Sequence, residues 1–144
     1  MSKFVISILE NHYNISPTKV TKMAGYDNLN FRISVGEKKY VLKIYRLDES
    51  IEFLKATDEV LDQLSDQFPK SIATVSGEKI IEIELEGEKC FAQLLTYLEG
   101  SFLGDLKTDE KLLNSFGDFL GKMNATLLSH RSPHIEARNQ NWDN

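Results

Sequence analysis

Few side chains in this sequence have both the type and the setting to do chemistry, and the first is a lysine. Lys43 stands in the middle of YVLKIYR, residues 40–46, where its neighbours suit a buried strand. Burying an unpaired ammonium is costly. Lys43 therefore either lays its stem on apolar surface with its head in water or meets an anionic group. GYDNLN, residues 25–30, is the second candidate. Gly25 relieves backbone crowding, Asn28 and Asn30 bring amide donors, and exposed backbone N–H groups in a turn can hold an anion. The same residue types also make ordinary hairpin turns. Acids follow in the next apolar-periodic stretch. At about 100° per residue, Glu52 and Glu59 fall opposite its apolar side, while Thr57 and Asp58 fall near it. A solvated helix face would carry the same acids.

Other chemistries find no support. His12, His130 and His134 are the only histidines, and none sits in an H-x-D, H-E-x-x-H or Cys/His pattern. Pro133 argues against one helix through His130 and His134, so no metal site is expected. Cys90, the single cysteine, has no internal disulfide partner and no second Cys with which to hold zinc. In its apolar strand pattern it reads as core packing, and a reducing, cytoplasmic setting is the simplest expectation. The Gly-Asp of FGDFLG lies in a helical pattern and is not a catalytic loop. Net charge is −5 with Lys and Arg scattered, which suits no nucleic-acid-tracking face. The apolar runs are too short for a bilayer, and MSKFVISILENHYNI reaches Glu10 before a signal-peptide core develops.

The elements that must position these residues can be read from periodicity. Residues 2–13 form an amphipathic helix with Phe4, Ile8 and Leu9 on one side, and Pro17 in SPTKV breaks the chain after it. Residues 19–24, FRISV (31–35) and YVLKIYR (40–46) are three strands joined by tight turns, an antiparallel meander. In the third, alternation puts Val41, Lys43 and Tyr45 on one face and Tyr40, Leu42 and Ile44 on the other. Asp48 or Ser50 caps a helix over 50–68, with Ile51, Leu54, Leu61, Leu64 and Phe68 at helical spacing. KIIEIELE and KCFAQLLTYL are two further strands about an EGE turn at 86–88. YLEGSFLGDL is a linker. Thr108 or Asp109 then caps a helix whose expected buried side is Leu112, Leu113, Phe116, Phe119, Leu120, Met123 and Leu127. The tail, SHRSPHIEARNQNWDN, reads as polar and irregular. The class is α+β, with five antiparallel strands and one helix inserted after the third. The 144 residues suffice for one domain with a core or for one lobe of a larger enzyme.

This order resembles the small, nucleotide-binding lobe of the protein-kinase-like fold. YVLK at 40–43 is similar to the strand-three motif V-A-I-K. GYDNLNFRI at 25–33 lacks a G-x-G-x-x-G and is similar to the Gly-to-Asn turn of the aminoglycoside phosphotransferase and choline kinase-like family. LLTYLEG at 94–100 resembles that family's hinge, and FGDFLGKMNATL at 116–127 the first helix of its large lobe. RNQNWDN at 138–144 resembles a segment before the catalytic region, especially in hydroxylysine-kinase-like members.

The resemblance implies residues 1–98 as the nucleotide-binding lobe with its hinge strand, and 99–144 as linker and start of the large lobe. It implies ATP as cofactor, with Mg2+ in the complete enzyme, and a hydroxyl of an amine-bearing metabolite or aminoglycoside as acceptor. Val41 would pack on adenine and Lys43 would offset the α- and β-phosphates. Gly25, Asn28 and Asn30 would cover the phosphates. Leu95 would stand at the back of the pocket, with the Thr96 carbonyl and the Leu98 N–H on adenine's edge. Lys43 would take an acid from the next helix; the family's Glu aligns with Thr57, so Asp58, Glu59 or none remains open. The base and the magnesium ligands of the family come from an H-G-D-x-x-x-x-N-like loop and a later Asp, neither of which occurs before Asn144. The chain is therefore expected not to be a competent kinase by itself and, with apolar hinge and helix faces uncovered, to self-associate or be marginally stable; the alternatives are a non-catalytic nucleotide-binding or regulatory module and an unrelated α+β interaction domain.

Overall fold

The computed structural model describes residues 1–25, 28–45 and 49–137. Tyr26 and Asp27 of the GYDNLN turn, the alternative cap Asp48 and the whole RNQNWDN segment lie outside the described residues. The chain forms α1 (Ser2–Tyr13), β1 (Lys19–Met23), β2 (Leu29–Val35), β3 (Lys38–Tyr45), α2 (Ile51–Gln63), β4 (Ser71–Ile72), β5 (Ile80–Leu85) and β6 (Glu88–Thr96). A single 3-10 turn (Leu103–Asp105), α3 (Glu110–Ser129) and α4 (Pro133–Glu136) follow.

The strands make one antiparallel sheet in the order β1-β2-β3-β6-β4, with β5 also paired to β6. It has six strands, not the expected five. The sixth, Ser71–Ile72, is too short to show a period of two in sequence, and its pairing with Leu95 and Leu94 is what makes it a strand. The β5–β6 turn has Glu86 and Gly87 at φ 56 and 85. Two consecutive positive φ values match the twist of a two-residue hairpin.

The core lies on one face of the sheet. Val5, Ile8, Leu9 and Tyr13 of α1 pack against Phe31, Ile33, Leu42, Ile44, Ile81, Ile83, Cys90, Ala92 and Leu94. Leu42 is fully buried and Ile44 nearly so, as alternation along β3 requires. Cys90 is a buried free thiol within this core, and burial pushes its pKa up. Asn14, left-handed at φ 52, ends α1 before Pro17 is reached.

Helix α2 covers the opposite face. Ser50 caps it, accepting from the Phe53 N–H at 3.3 Å. The helix stops at Gln63 rather than at residue 68, because Lys70 folds back onto its end. The Lys70 ammonium donates to the Leu61 and Leu64 carbonyls at 2.5 and 2.6 Å, satisfying acceptors that a helix C-terminus leaves open. Phe68, expected inside the helix, instead stacks on Phe119 with centroids 5.1 Å apart. Asp109 caps α3 through the Leu112 N–H at 2.7 Å. The expected buried side of α3 is not buried: no residue of the helix is, and Leu113, Phe116 and Leu127 are exposed. Helical spacing makes an apolar stripe, but only packing against another element can bury it. The tail carries the short helix α4, begun by Pro133 at a position that suits its missing N–H.

Tyr13 gives this core a pH signature. Burial raises its hydroxyl from 10.0 to about 12. The folded chain thus keeps a proton that the unfolded chain releases, so stability is complete below pH 10.0 and declines as pH rises towards 12. The unfolding free energy from urea denaturation should fall across that window by up to about 1.4 kcal/mol per pH unit for this group, and Tyr13→Phe should lessen the fall.

Candidate functional site

The site is built on the sheet face opposite the core. Registers place Met23, Asn30, Lys43, Gln93 and Ile80 in one row across it. Thr21, Arg32, Val41, Leu95 and Ser71 form the adjacent row. Directly opposed residues on antiparallel strands project to the same side, so Lys43 lies beside Asn30 and Gln93, and Val41 beside Leu95. Strand β3 thus sends Leu42 into the core and Lys43 into the face with the site.

Where β6 runs into the linker, that face opens into a cleft of about 530 Å³ lined by Met23, Val41, Pro69, Leu95, Thr96, Tyr97, Leu98, Glu99 and Phe102, among others. Four predicted residues, Val41, Leu95, Thr96 and Leu98, meet here. Met23, Pro69 and Phe102 join them without a sequence signal, because the strand pairing and the linker path bring them in. Main-chain bonding at the exit is specific. Thr96 N–H donates to the Lys70 carbonyl at 2.8 Å. Lys70 N–H goes to the Thr96 hydroxyl at 2.9 Å. Tyr97 N–H reaches the Lys39 carbonyl at 3.4 Å. Lys39 also pairs with Glu99 and lies over the Tyr97 ring, 5.6 Å from its centroid, which ties the linker to the start of β3.

Lys43 and the turn residues lie farther along the same face and do not line this cleft. The Lys43 Nζ sits 4.7 Å from the centroid of the Tyr45 ring, within cation–π range. Gly25 is held in close quarters: a Cβ there would come within 2.5 Å of both the Asn28 carbonyl oxygen and the Asn30 Nδ2. The Asn30 amide donates to that same Asn28 carbonyl at 3.4 Å. Gly25, Asn28 and Asn30 are therefore packed together at the sheet row that contains Lys43.

The acids separate cleanly. Glu52 and Glu59 are exposed, as their helical angle implies. Thr57, expected near the apolar side, is exposed, and its hydroxyl bonds back to the Phe53 carbonyl at 2.8 Å. Asp58 is buried on the sheet side of α2. Its carboxylate accepts from the Ser71 hydroxyl and from Gln93 Nε2, the latter at 2.9 Å, and pairs with Lys79 at 3.1 Å. The hydrogen bond that the Lys79 ammonium donates to Asp62, joined by its contact with Asp58, holds it above its ordinary pKa, against the opposing effect of burial. Gln93 is the site residue that the sequence reading missed; the signal was a lone amide in the apolar strand KCFAQLLT. Among the described residues, no group of three or more His, Cys, Asp or Glu side chains is placed to hold a metal ion, and no helix is long and apolar enough to cross a membrane.

The model of the phosphotransferase enzyme family matches residues 20–143. No curated protein sequence matches the chain. Among solved structures, an amicoumacin kinase in complex with AMP-PNP and Ca2+ is similar at 18% identity and TM-score 0.76, covering 98% of this chain and 44% of that one. A spectinomycin phosphotransferase in complex with ADP and spectinomycin is similar at 15% identity and TM-score 0.68, covering 96% and 42%. A microcompartment-associated aminopropanol kinase is similar at 16% identity and TM-score 0.67, covering 99% and 45%. At these identities the likeness is one of fold. The chain spans less than half the length of each of these structures.

Proposed function

We propose that this chain, which belongs to the phosphotransferase enzyme family, supplies the nucleotide-binding part of an ATP-dependent small-molecule kinase. The observation that carries the reading is the placement of the β6 cleft and Lys43 on one face of the sheet. Adenine packs between Val41 and Leu95, with its edge on the Thr96 carbonyl and the Leu98 N–H. Lys43, one row along, offsets the charge of the α- and β-phosphates. Gly25, Asn28 and Asn30 cover them, the two asparagine amides serving as donors. In this reading residues 1–98 are the nucleotide-binding lobe and 99–144 begin the second lobe. Magnesium, when bound to the nucleotide, offsets charge on the phosphates; none of the described residues is assigned to hold it. The acceptor is a hydroxyl of an amine-bearing small molecule or aminoglycoside, and its transfer chemistry belongs to a protein more than twice this length, as in the similar solved structures.

Magnesium–ATP titration with a thermal readout tests the reading. A ligand at 100 times its Kd stabilises the folded state by about 2.7 kcal/mol, so Tm should climb steadily through the millimolar range. A folded chain whose Tm ignores magnesium–ATP throughout that range contradicts the proposal.

A further inference from the structure

Gln93 stands in the middle of β6 and is only 3% exposed. A buried amide is costly unless its atoms find partners, and here both ends are engaged. Its Oε1 accepts from the Tyr45 hydroxyl at 2.5 Å. Its Nε2 donates to Asp58 Oδ1 at 2.9 Å and to Ser71 Oγ at 2.7 Å. Asp58 belongs to α2, and its other oxygen is paired with Lys79. Gln93 is directly opposite Lys43 in the β3–β6 register. The Tyr45 ring, whose hydroxyl Gln93 tethers, lies beneath the Lys43 ammonium.

From this chain of contacts we infer that Tyr45 and Gln93 are positioning residues for Lys43, coupling the seat of α2 on the sheet to the place where the ammonium rests. The inference builds on the nucleotide-binding reading given above. Asp58 and Ser71 set the orientation of the Gln93 amide, the amide oxygen holds the Tyr45 hydroxyl, and the tethered ring presents its face to the ammonium. A displacement of α2 removes Asp58 from the amide and loosens every later contact. Networks of this kind respond as units rather than as independent pairs. The helix is thereby connected to Lys43 through a buried amide and a phenol, whatever further contacts Lys43 makes.

Tyr45→Phe is the direct test, because it keeps the ring and removes only the tether. In the 144-residue chain, isothermal titration with magnesium–AMP-PNP should give a Kd raised about 2- to 10-fold, the scale of one net hydrogen bond. In a Lys43→Met background, adding Tyr45→Phe should leave Kd unchanged, an outcome that a general loss of structure would not produce. Circular dichroism confirms that each variant is folded. The lysine Hε resonances give a readout without nucleotide: those of Lys43 carry the ring-current shift of Tyr45, and Tyr45→Phe should move them. The inference is overturned if Lys43→Met weakens binding while Tyr45→Phe does not, or if Tyr45→Phe weakens it equally in both backgrounds. If neither substitution affects affinity, the nucleotide-binding reading itself fails and takes the inference with it.

Discussion

Lys43→Ala should weaken magnesium–ATP binding by about 10- to 100-fold, the value of a hydrogen bond to a charged group of 1.5–3 kcal/mol. Its effect on the unliganded fold should stay within about 1 kcal/mol, the scale of a partly exposed cation–π contact such as the one Lys43 makes with the Tyr45 ring. Titration calorimetry reads the first quantity and urea denaturation the second. The contrast between them matters more than either alone. A lysine that only snorkels along a strand would change little in both measurements. A lysine that holds phosphates changes affinity and spares stability.

One residue earlier the pattern should invert. Leu42 is fully buried beneath α1, in contact with the cluster that includes Leu9, Phe31 and Leu94. Leu42→Ala should cost about 2–5 kcal/mol, made up of lost transfer energy and the cavity left behind. For a domain of ordinary stability, about 5–15 kcal/mol, that is a large share of the whole. The urea midpoint should drop sharply, while the affinity of the molecules still folded should stay near the parent value. Adjacent residues with opposite phenotypes are the mutational counterpart of strand alternation.

That alternation is also why so much of the molecule was legible from its residues. Period-two patterns place Leu42 and Ile44 inward and Val41 and Lys43 on the other face, and the structure has them so. Ser50 and Asp109, two residues read as caps, accept the N–H bonds expected of caps. The local grammar of strands and helix starts carries this information. It does not carry long-range pairing. Ser71–Ile72 has no strand signal of its own and exists as a strand only because β6 presents it with partners. The end of α2 depends on Lys70, a residue beyond the helix, folding back onto its last carbonyls. The stripe on α3 was legible as apolar, but its exposure depends on what packs against it. Helical angle separated Glu52 and Glu59 from Asp58 and left Thr57 on the wrong side. Nothing local revealed that Asp58 joins Ser71, Gln93 and Lys79 across three other segments.

In the proposed reading one sheet face, with Val41 and Leu95 beside the β6 exit and Lys43 one row along, holds a nucleotide. The most direct test is a map of the bound ligand by methyl NMR, titrating the chain with magnesium–AMP-PNP. The Val41, Leu95 and Leu98 methyl resonances should shift along one saturable curve, together with Lys43 Hε, while those of Val5, Leu9 and Leu42 on the core side should stay in place. Saturable shifts confined to other surfaces, or no shift in these methyls at millimolar nucleotide, would contradict the account.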